Sequence, residues 1–366
     1  MRASVVVAAA ALALTAGCAP SGPAPGQRSP AVADAAGQRA PLPVLVAKAS
    51  PTVVYVLART QTGTSELFRS SDAGLHFSQV SAPVLRSPAT GRPLPVRILT
   101  FANGTDGIAV LGSPDQHGAM LVTDNAARSW RRARLGGRGA VTAVAGHGGL
   151  AYALELDCGG TVCHDLRLYR AAAGSARFAR TTARGTVGAQ GAGGIGLAAW
   201  GPRVWLMTGN GTGAPIQLLE SADRGATFSQ VAQLTAVGCG PEAGTATVLW
   251  LWCSGGMLLT FDRFSASTNR LQQLRLTGSG TGNTFLFPLS GRQVLFGTGD
   301  GRQAGGIYLS RDCGRNFTRI GSLPGPASGL FAQLTFLTAR NALALVSQRR
   351  LLRTSTGGRT WTQVRL

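Results

Sequence analysis

The sequence predicts an all-β protein: a seven-bladed β-propeller with four-stranded antiparallel blades, preceded by a signal peptide and a disordered tether. Three observations lead there. An octapeptide recurs through the chain, its copies stand at blade-sized intervals, and each interval holds short apolar runs of strand length bounded by turn residues.

The first residues read as an address. Arg2 precedes an apolar stretch, Ala3 to Leu14, that is too short to span a bilayer, and Leu14-Thr15-Ala16-Gly17-Cys18 follows. This resembles the lipobox of bacterial lipoproteins, with Thr15 where that family more often has Leu. The resemblance implies cleavage before Cys18 and a diacylglycerol on its thiol. Several acyl chains of the palmitate kind, at about 0.8 kcal/mol per buried CH₂, hold a protein on a membrane where one chain does not. The expected organisation is a lipoprotein signal peptide over 1–17, a flexible Ala/Pro/Gly linker over 18–42 and a propeller over 43–366. The linker lacks the large apolar residues that could order it by burial, and as a coil it reaches roughly 25 to 30 Å. The expected location is the cell membrane, lipid-anchored, on the extracytoplasmic side.

Next comes the repeat. Ser70-Ser71-Asp72-Ala73-Gly74-Leu75-His76-Phe77 returns as Ser221 to Phe228, with Asp223 and Gly225, and as Ser310 to Phe317, with Asp312 and Gly314. Thr123 to Trp130 keeps the frame with Asn125 in place of Asp, Thr354 to Trp361 keeps it with Thr356 and Gly358, and Ala171 to Phe178 is degenerate. The residue types suit a hairpin corner: Asp accepts backbone N–H bonds, Gly takes a positive φ, and the last aromatic wedges between sheets. Corners holding Asn125 or Thr356 keep a weaker acceptor and are expected to be less rigid. These octapeptides resemble the Asp box, or BNR repeat, of the sialidase-like superfamily. A similar combination of signal segment, Asp-box-like blades and arginines occurs in photosystem II stability and assembly factors, and that similarity implies assembly work without catalysis.

Blade count follows from spacing. The closing aromatics Phe77, Trp130, Phe178, Phe228, Phe317 and Trp361 are separated by 53, 48, 50, 89 and 44 residues, and the long interval is two units, one with its corner eroded near Leu258 to Leu274. Runs such as Arg97 to Phe101, Asp106 to Leu111 and Ala119 to Val122 place three strands before each corner and one after it. Val44 to Val46 is the candidate for closing the ring.

Cysteines and charge bear on compartment and partner. Apart from Cys18, Cys158 with Cys163 reads as a clasp across a hairpin tip, Cys239 with Cys253 as a link from a blade connection to the next strand, and Cys313 as a free thiol inside a corner. The formal charge is +20, and Lys48 is the only lysine, so the basic surface is arginine. An acidic partner is the expectation.

No site for a metal or a cofactor is legible, and nothing resembles a nucleic-acid groove. The sialidase resemblance would imply an arginine triad, an acid/base carboxylate and a tyrosine paired with a glutamate. Only Tyr55, Tyr152, Tyr169 and Tyr308 exist, the glutamates are Glu66, Glu155, Glu220 and Glu242, and no two carboxylates stand out as a pair. Tyr308 stands where other repeats have large apolar residues, so it reads as core. The expectation is therefore a monomeric binding or assembly propeller, with a sialidase-like exo-glycoside hydrolase as the alternative. Corners occupy one end of the ring and blade connections the other, and the connections Ser81–Val96, Arg131–Ala140 and Thr181–Gly194 carry Arg86, Arg92, Arg131, Arg132, Arg134, Arg138 and Arg184. These arginines are the candidate surface for an anionic glycan, a cell-wall polymer or a membrane-protein partner.

Overall fold

The computed structural model describes residues 41–112, 119–159, 162–185, 195–209, 215–235, 238–255, 258–274, 283–299, 305–323, 333–346 and 350–366. The signal peptide and the tether through residue 40 lie outside the described residues, and Leu42, expected at the tether's end, begins the first strand. Blade 1 is β1 (Leu42–Lys48), β2 (Val54–Arg59), β3 (Ser65–Ser70) and β4 (Ser78–Val80); blade 2 is β5 (Val96–Phe101), β6 (Gly107–Leu111), β7 (Ala119–Thr123) and β8 (Arg131–Arg132). Blade 3 is β9 (Ala140–His147), β10 (Leu150–Gly159), β11 (Val162–Ala172) and β12 (Ala179–Gly185); blade 4 is β13 (Gly196–Trp200), β14 (Arg203–Thr208), β15 (Ile216–Ser221) and β16 (Ser229–Leu234). Blade 5 is β17 (Gly238–Thr245), β18 (Val248–Gly255), β19 (Leu258–Ser265) and β20 (Arg270–Leu274); blade 6 is β21 (Asn283–Pro288), β22 (Val294–Gly299), β23 (Gly306–Ser310) and β24 (Thr318–Ser322). Blade 7 is β25 (Gln333–Phe336), β26 (Ala342–Val346), β27 (Arg350–Thr354) and β28 (Thr362–Val364). Every blade is a four-stranded sheet in chain order, so the fold is the seven-bladed, all-β propeller expected.

The corner chemistry repeats from blade to blade. Ser70 Oγ accepts the Gly74 N–H at 2.8 Å and Asp72 Oδ1 accepts those of Leu75 and His76, each at 3.0 Å. Burial alone would raise the Asp72 carboxyl, but the bonds from Ser70, His76 and Leu75 outweigh it and hold the group well below its ordinary range. Ser221 and Asp223 repeat the arrangement, as do Ser310 and Asp312. Where Asp is missing, Asn125 Oδ1 accepts the Ser129 N–H and Thr356 Oγ1 that of Thr360, both at 3.0 Å, and one acceptor is left where a carboxylate has two.

A second bond needs no particular side chain. The N–H of Ala73 meets the carbonyl of Thr52 in the hairpin between the blade's first two strands at 2.8 Å, and the same bond joins Ala126 to Thr105, Ala173 to Gly149, Arg224 to Pro202, Ala266 to Thr247, Cys313 to Arg292 and Gly357 to Arg340. All seven blades carry it. The eroded corner of blade 5, Ser265 to Arg270, is thereby placed with the others, on the remnant the spacing pointed to.

Between the blades lie seven apolar clusters, one per interface. Phe77, Trp130, Phe178, Phe228, Phe317 and Trp361 each pack into the cluster shared with the preceding blade. Two of them also bond to that blade's last residues: Trp130 Nε1–H donates to Ser81 O at 2.7 Å and Trp361 Nε1–H to Ser322 O at 2.8 Å. Gly358 has φ +90°, and a Cβ there would stand 2.2 Å from Ile307 Cδ1 of blade 6, so conformation and contact both demand glycine.

Ring closure uses no exchanged strand. Blade 1 is wholly N-terminal and blade 7 wholly C-terminal. The segment Val44 to Val46 does lie at the seam, as part of the innermost strand β1. Gln333 on β25 accepts the Val46 N–H at 2.8 Å and donates to the Val46 carbonyl at 2.6 Å, so one amide side chain gives Val46 the two bonds a neighbouring strand would give. Arg353 Nε–H donates to Ala73 O at 2.8 Å, and the cluster around Val46, Val54, Leu343 and Leu351 fills the space between.

One cysteine expectation needs correction. Cys239 and Cys253 are disulfide-bonded, but they face each other on β17 and β18 of one blade, so the bond ties first strand to second instead of a connection to a strand. Cys313 is a free cysteine in its corner, at φ 66°. Cys158 and Cys163 are register partners on β10 and β11, and their side chains lie outside the described residues.

Candidate ligand-binding site

The sequence grouped seven arginines on the connection end. The structure brings two of them together. Arg131 and Arg132 lie not in a loop but in β8, opposite Val122 and Leu121. Alternation then turns them apart. Arg131 reaches the corner end, pairing with Asp124 and donating to Gly174 O of blade 3 at 3.1 Å. Arg86 and Arg92 sit on a side hairpin of the connection, where Arg86 Nη1–H donates to Gly91 O at 3.0 Å. Arg134 is exposed, and its backbone N–H binds Ala176 O of blade 3 at 2.8 Å. Arg184 is on β12 opposite Arg167, with its side chain outside the described residues. The stretch Thr181–Gly194, read as a connection, likewise begins within a strand, Ala179–Gly185.

Arg132 and Arg138 line a cleft of about 300 Å³ with Met120, Ala133, Leu135 and Val141. A second cleft of about 410 Å³ shares Gly137 and Arg138 with it and is lined by Asp157, Arg167, Tyr169, Phe178 and Arg180. Between them runs the arch Gly136–Gly139. It can lie this low because three of its four residues are glycine: a Cβ on Gly137 would stand 1.8 Å from Glu155 Oε1.

Under the arch, Glu155 is the hub. Its side chain is 1% exposed, yet Oε1 accepts the Gly139 N–H at 3.0 Å and Arg167 Nη1–H at 3.1 Å. Burying a carboxylate requires such partners. Arg167 is saturated in turn: Nε holds Asp165 at 2.8 Å and Nη2 holds Asp157 at 3.2 Å. Asp157 and Asp165 face each other across β10 and β11, and Arg167 makes that like-charge pair tolerable. Arg180 stands 3.7 Å from Asp165. Arg132 and Arg138 have no ion pair among the described residues, which leaves their guanidiniums open to an incoming oxyanion.

Tyr169 and Glu155 sit beside Arg138, Arg167 and Arg180, a set of residue types the sequence did not group. Tyr169 is buried, burial pushes its hydroxyl up, and the Glu155 charge adds to that, against the lowering by Arg167 and Arg180. The hydroxyl is therefore held protonated. No cluster of three or more His, Cys, Asp or Glu suited to a metal occurs among the described residues.

The axis of the ring holds another unexpected pair. Glu242 on β17 is open to solvent in a lumen walled by protein, and burial lifts its carboxyl to about 7 against the opposing pull of Lys48. The same burial lowers the Lys48 ammonium. Blades 1 and 5 are not neighbours, so the two charges face each other across the axis.

No family profile matches the chain, and no curated protein does. Solved structures do. YCF48 bound to D1 peptide is 14% identical, matched over 87% of this chain and 92% of that chain with a TM-score of 0.51. YCF48 from Cyanidioschyzon merolae is 14% identical over 87% and 96% with a TM-score of 0.53. A prolyl endopeptidase is 9% identical over 88% of this chain and 49% of that chain, with a TM-score of 0.58. At these identities the likeness is one of fold.

Proposed function

We propose that this is a non-catalytic binding or assembly propeller, lipid-anchored through Cys18 on the extracytoplasmic side, with corners of the Asp-box kind. Its ligand, an anionic glycan, a cell-wall polymer or an acidic segment of a membrane protein, meets the twin clefts of blades 2 and 3. The observation that carries this reading is the pair of unoccupied guanidiniums, Arg132 and Arg138, above carboxylates already held by Arg167. A pocket with free cations and spent acids is suited to grip an oxyanion and poorly suited to proton transfer. A propeller of the same fold binds a D1 peptide, which makes a protein partner reasonable.

The test is binding of the Arg132→Ser, Arg138→Ser double variant to arrays of acidic glycans and acidic peptides. Loss of tenfold or more in affinity for the ligands that the wild type retains is expected. Unchanged binding would place the ligand elsewhere.

The glycoside hydrolase reading draws on Tyr169 and Glu155 beside three arginines. Against it, Glu155 is engaged by Arg167 and the arch, while Tyr169 sits in a setting that resists ionisation. Turnover of a fluorogenic sialoside that disappears in Tyr169→Phe would reverse the preference.

A further inference from the structure

The corner end of the ring carries a charge pattern that the clefts do not use. Each of blades 2 to 7 presents an exposed arginine in or beside its corner: Arg128, Arg177, Arg224, Arg270, Arg315 and Arg359. None is in an ion pair among the described residues. The carboxylates of the same corners are turned to internal work. Asp72, Asp223 and Asp312 spend their lone pairs on backbone N–H groups and corner side chains, and Asp124 is taken by Arg131. The seven equivalent backbone bonds put all these corners on one end of the ring, so the six guanidiniums form a circle.

We infer that this circle is a docking surface for a linear phosphate-bearing polyanion. Arginine takes phosphate oxygens in bidentate fashion and is only weakly hydrated, so exposed and unpaired guanidiniums are suited to such a chain. Free cations arranged on a ring offer a chain several simultaneous contacts in whatever direction it crosses. A lipid surface fits less well. Of the exposed large apolar residues among the described ones, Leu42, Leu75, Val84, Trp252 and Leu271, only Leu75 and Leu271 lie in or beside corners, so the face has little to insert between acyl chains. Arg177 adjoins Phe178 of the second cleft, whereas the other five arginines line neither cleft, so binding at Arg224, Arg315 and Arg359 is independent of the ligand proposed for the clefts.

The experiment is retention of the full chain, purified in detergent, on immobilised polyphosphate, as a function of salt. The perturbation is Arg224→Ser, Arg315→Ser and Arg359→Ser in one chain, with a melting curve to check folding. All three side chains are exposed and unpaired, so the fold is expected to survive. Each phosphate contact contributes on the order of 0.7 to 0.9 to the log–log salt slope for linear polyanions, so the triple variant is expected to lose about 2 to 3. Replacing the same three by Lys should restore most of the slope, because a point charge still releases counterions. The inference is overturned by an unchanged slope in the triple variant. It is equally overturned if the Arg132→Ser, Arg138→Ser variant loses as much, or if the chain ignores polyphosphate and sediments with phosphatidylglycerol vesicles in a way that the triple variant abolishes.

Discussion

Removing the amide that joins the last blade to the first is a direct test of how the ring closes. Gln333 supplies both bonds of Val46, whose residue is only 3% exposed, so in Gln333→Ala neither the Val46 N–H nor its carbonyl can turn to water. Two ordinary hydrogen bonds contribute about 2 kcal/mol, and two orphaned buried groups raise the cost to about 2–5 kcal/mol. For a domain above 250 residues, 1 kcal/mol corresponds to about 2 °C, so the melting temperature should fall by about 4–10 °C. Circular dichroism melts of the wild type, Gln333→Ala and Gln333→Glu would measure this. The Glu variant keeps an acceptor for the N–H but sets a carboxylate against the carbonyl, so it should fare no better than Ala. Gln273→Ala, on the exposed outer strand β20, serves as the neutral control. A Gln333→Ala melt within 1 °C of wild type would mean that the apolar seam closes the ring unaided.

Two further perturbations follow. Asp262 is buried on β19 with no ion pair among the described residues, and burial raises its carboxyl from an ordinary 3.8 to about 6. Its neutral form is the one the fold accepts, so this contribution is fully present below pH 3.8 and lost as pH rises through about 6, at a cost of up to about 3 kcal/mol by pH 8. Asp262→Asn should therefore raise the melting temperature at pH 8 and leave it nearly unchanged at pH 4; an equal shift at both would discard the explanation. Gly358→Ala meets Ile307 and a positive φ together, whereas Gly63→Ala, at φ +82° with nothing within 4 Å, meets conformational strain alone. The first should cost about 2–4 kcal/mol and the second about 1, and equal urea midpoints would refute the contact argument.

How much of this was legible in the sequence varies with the physics involved. Corners were, because Ser70, Asp72, Gly74 and Phe77 each do a local task that only a few residue types perform. The eroded corner of blade 5 was legible only by spacing, since the Ala266 N–H to Thr247 O bond that preserves it leaves no mark on composition. Fourth strands were misread in blades 2 and 3. Arg131 and Arg132 are exposed on both faces of the outer edge, so they show no apolar alternation and resemble a loop. The Glu155, Arg167, Asp157 and Asp165 network was not read, because its meeting with the Gly136–Gly139 arch depends on how blade 2 hands over to blade 3. The Lys48 and Glu242 pair unites blades that are remote in sequence, and only the closed ring brings them face to face.

Because every sector of the ring is one unbroken stretch of chain, its wiring is modular. A sector can be duplicated or deleted by copying or excising one contiguous segment, and the reading order can be restarted at any inter-sector loop once the old ends are joined. The first and last described sectors, blades 1 and 7, already abut. A permuted gene opened between blades 4 and 5 would then encode the same wheel with its present seam turned into an ordinary joint and the fastening task passed to a boundary where no amide bond like that of Gln333 occurs among the described residues.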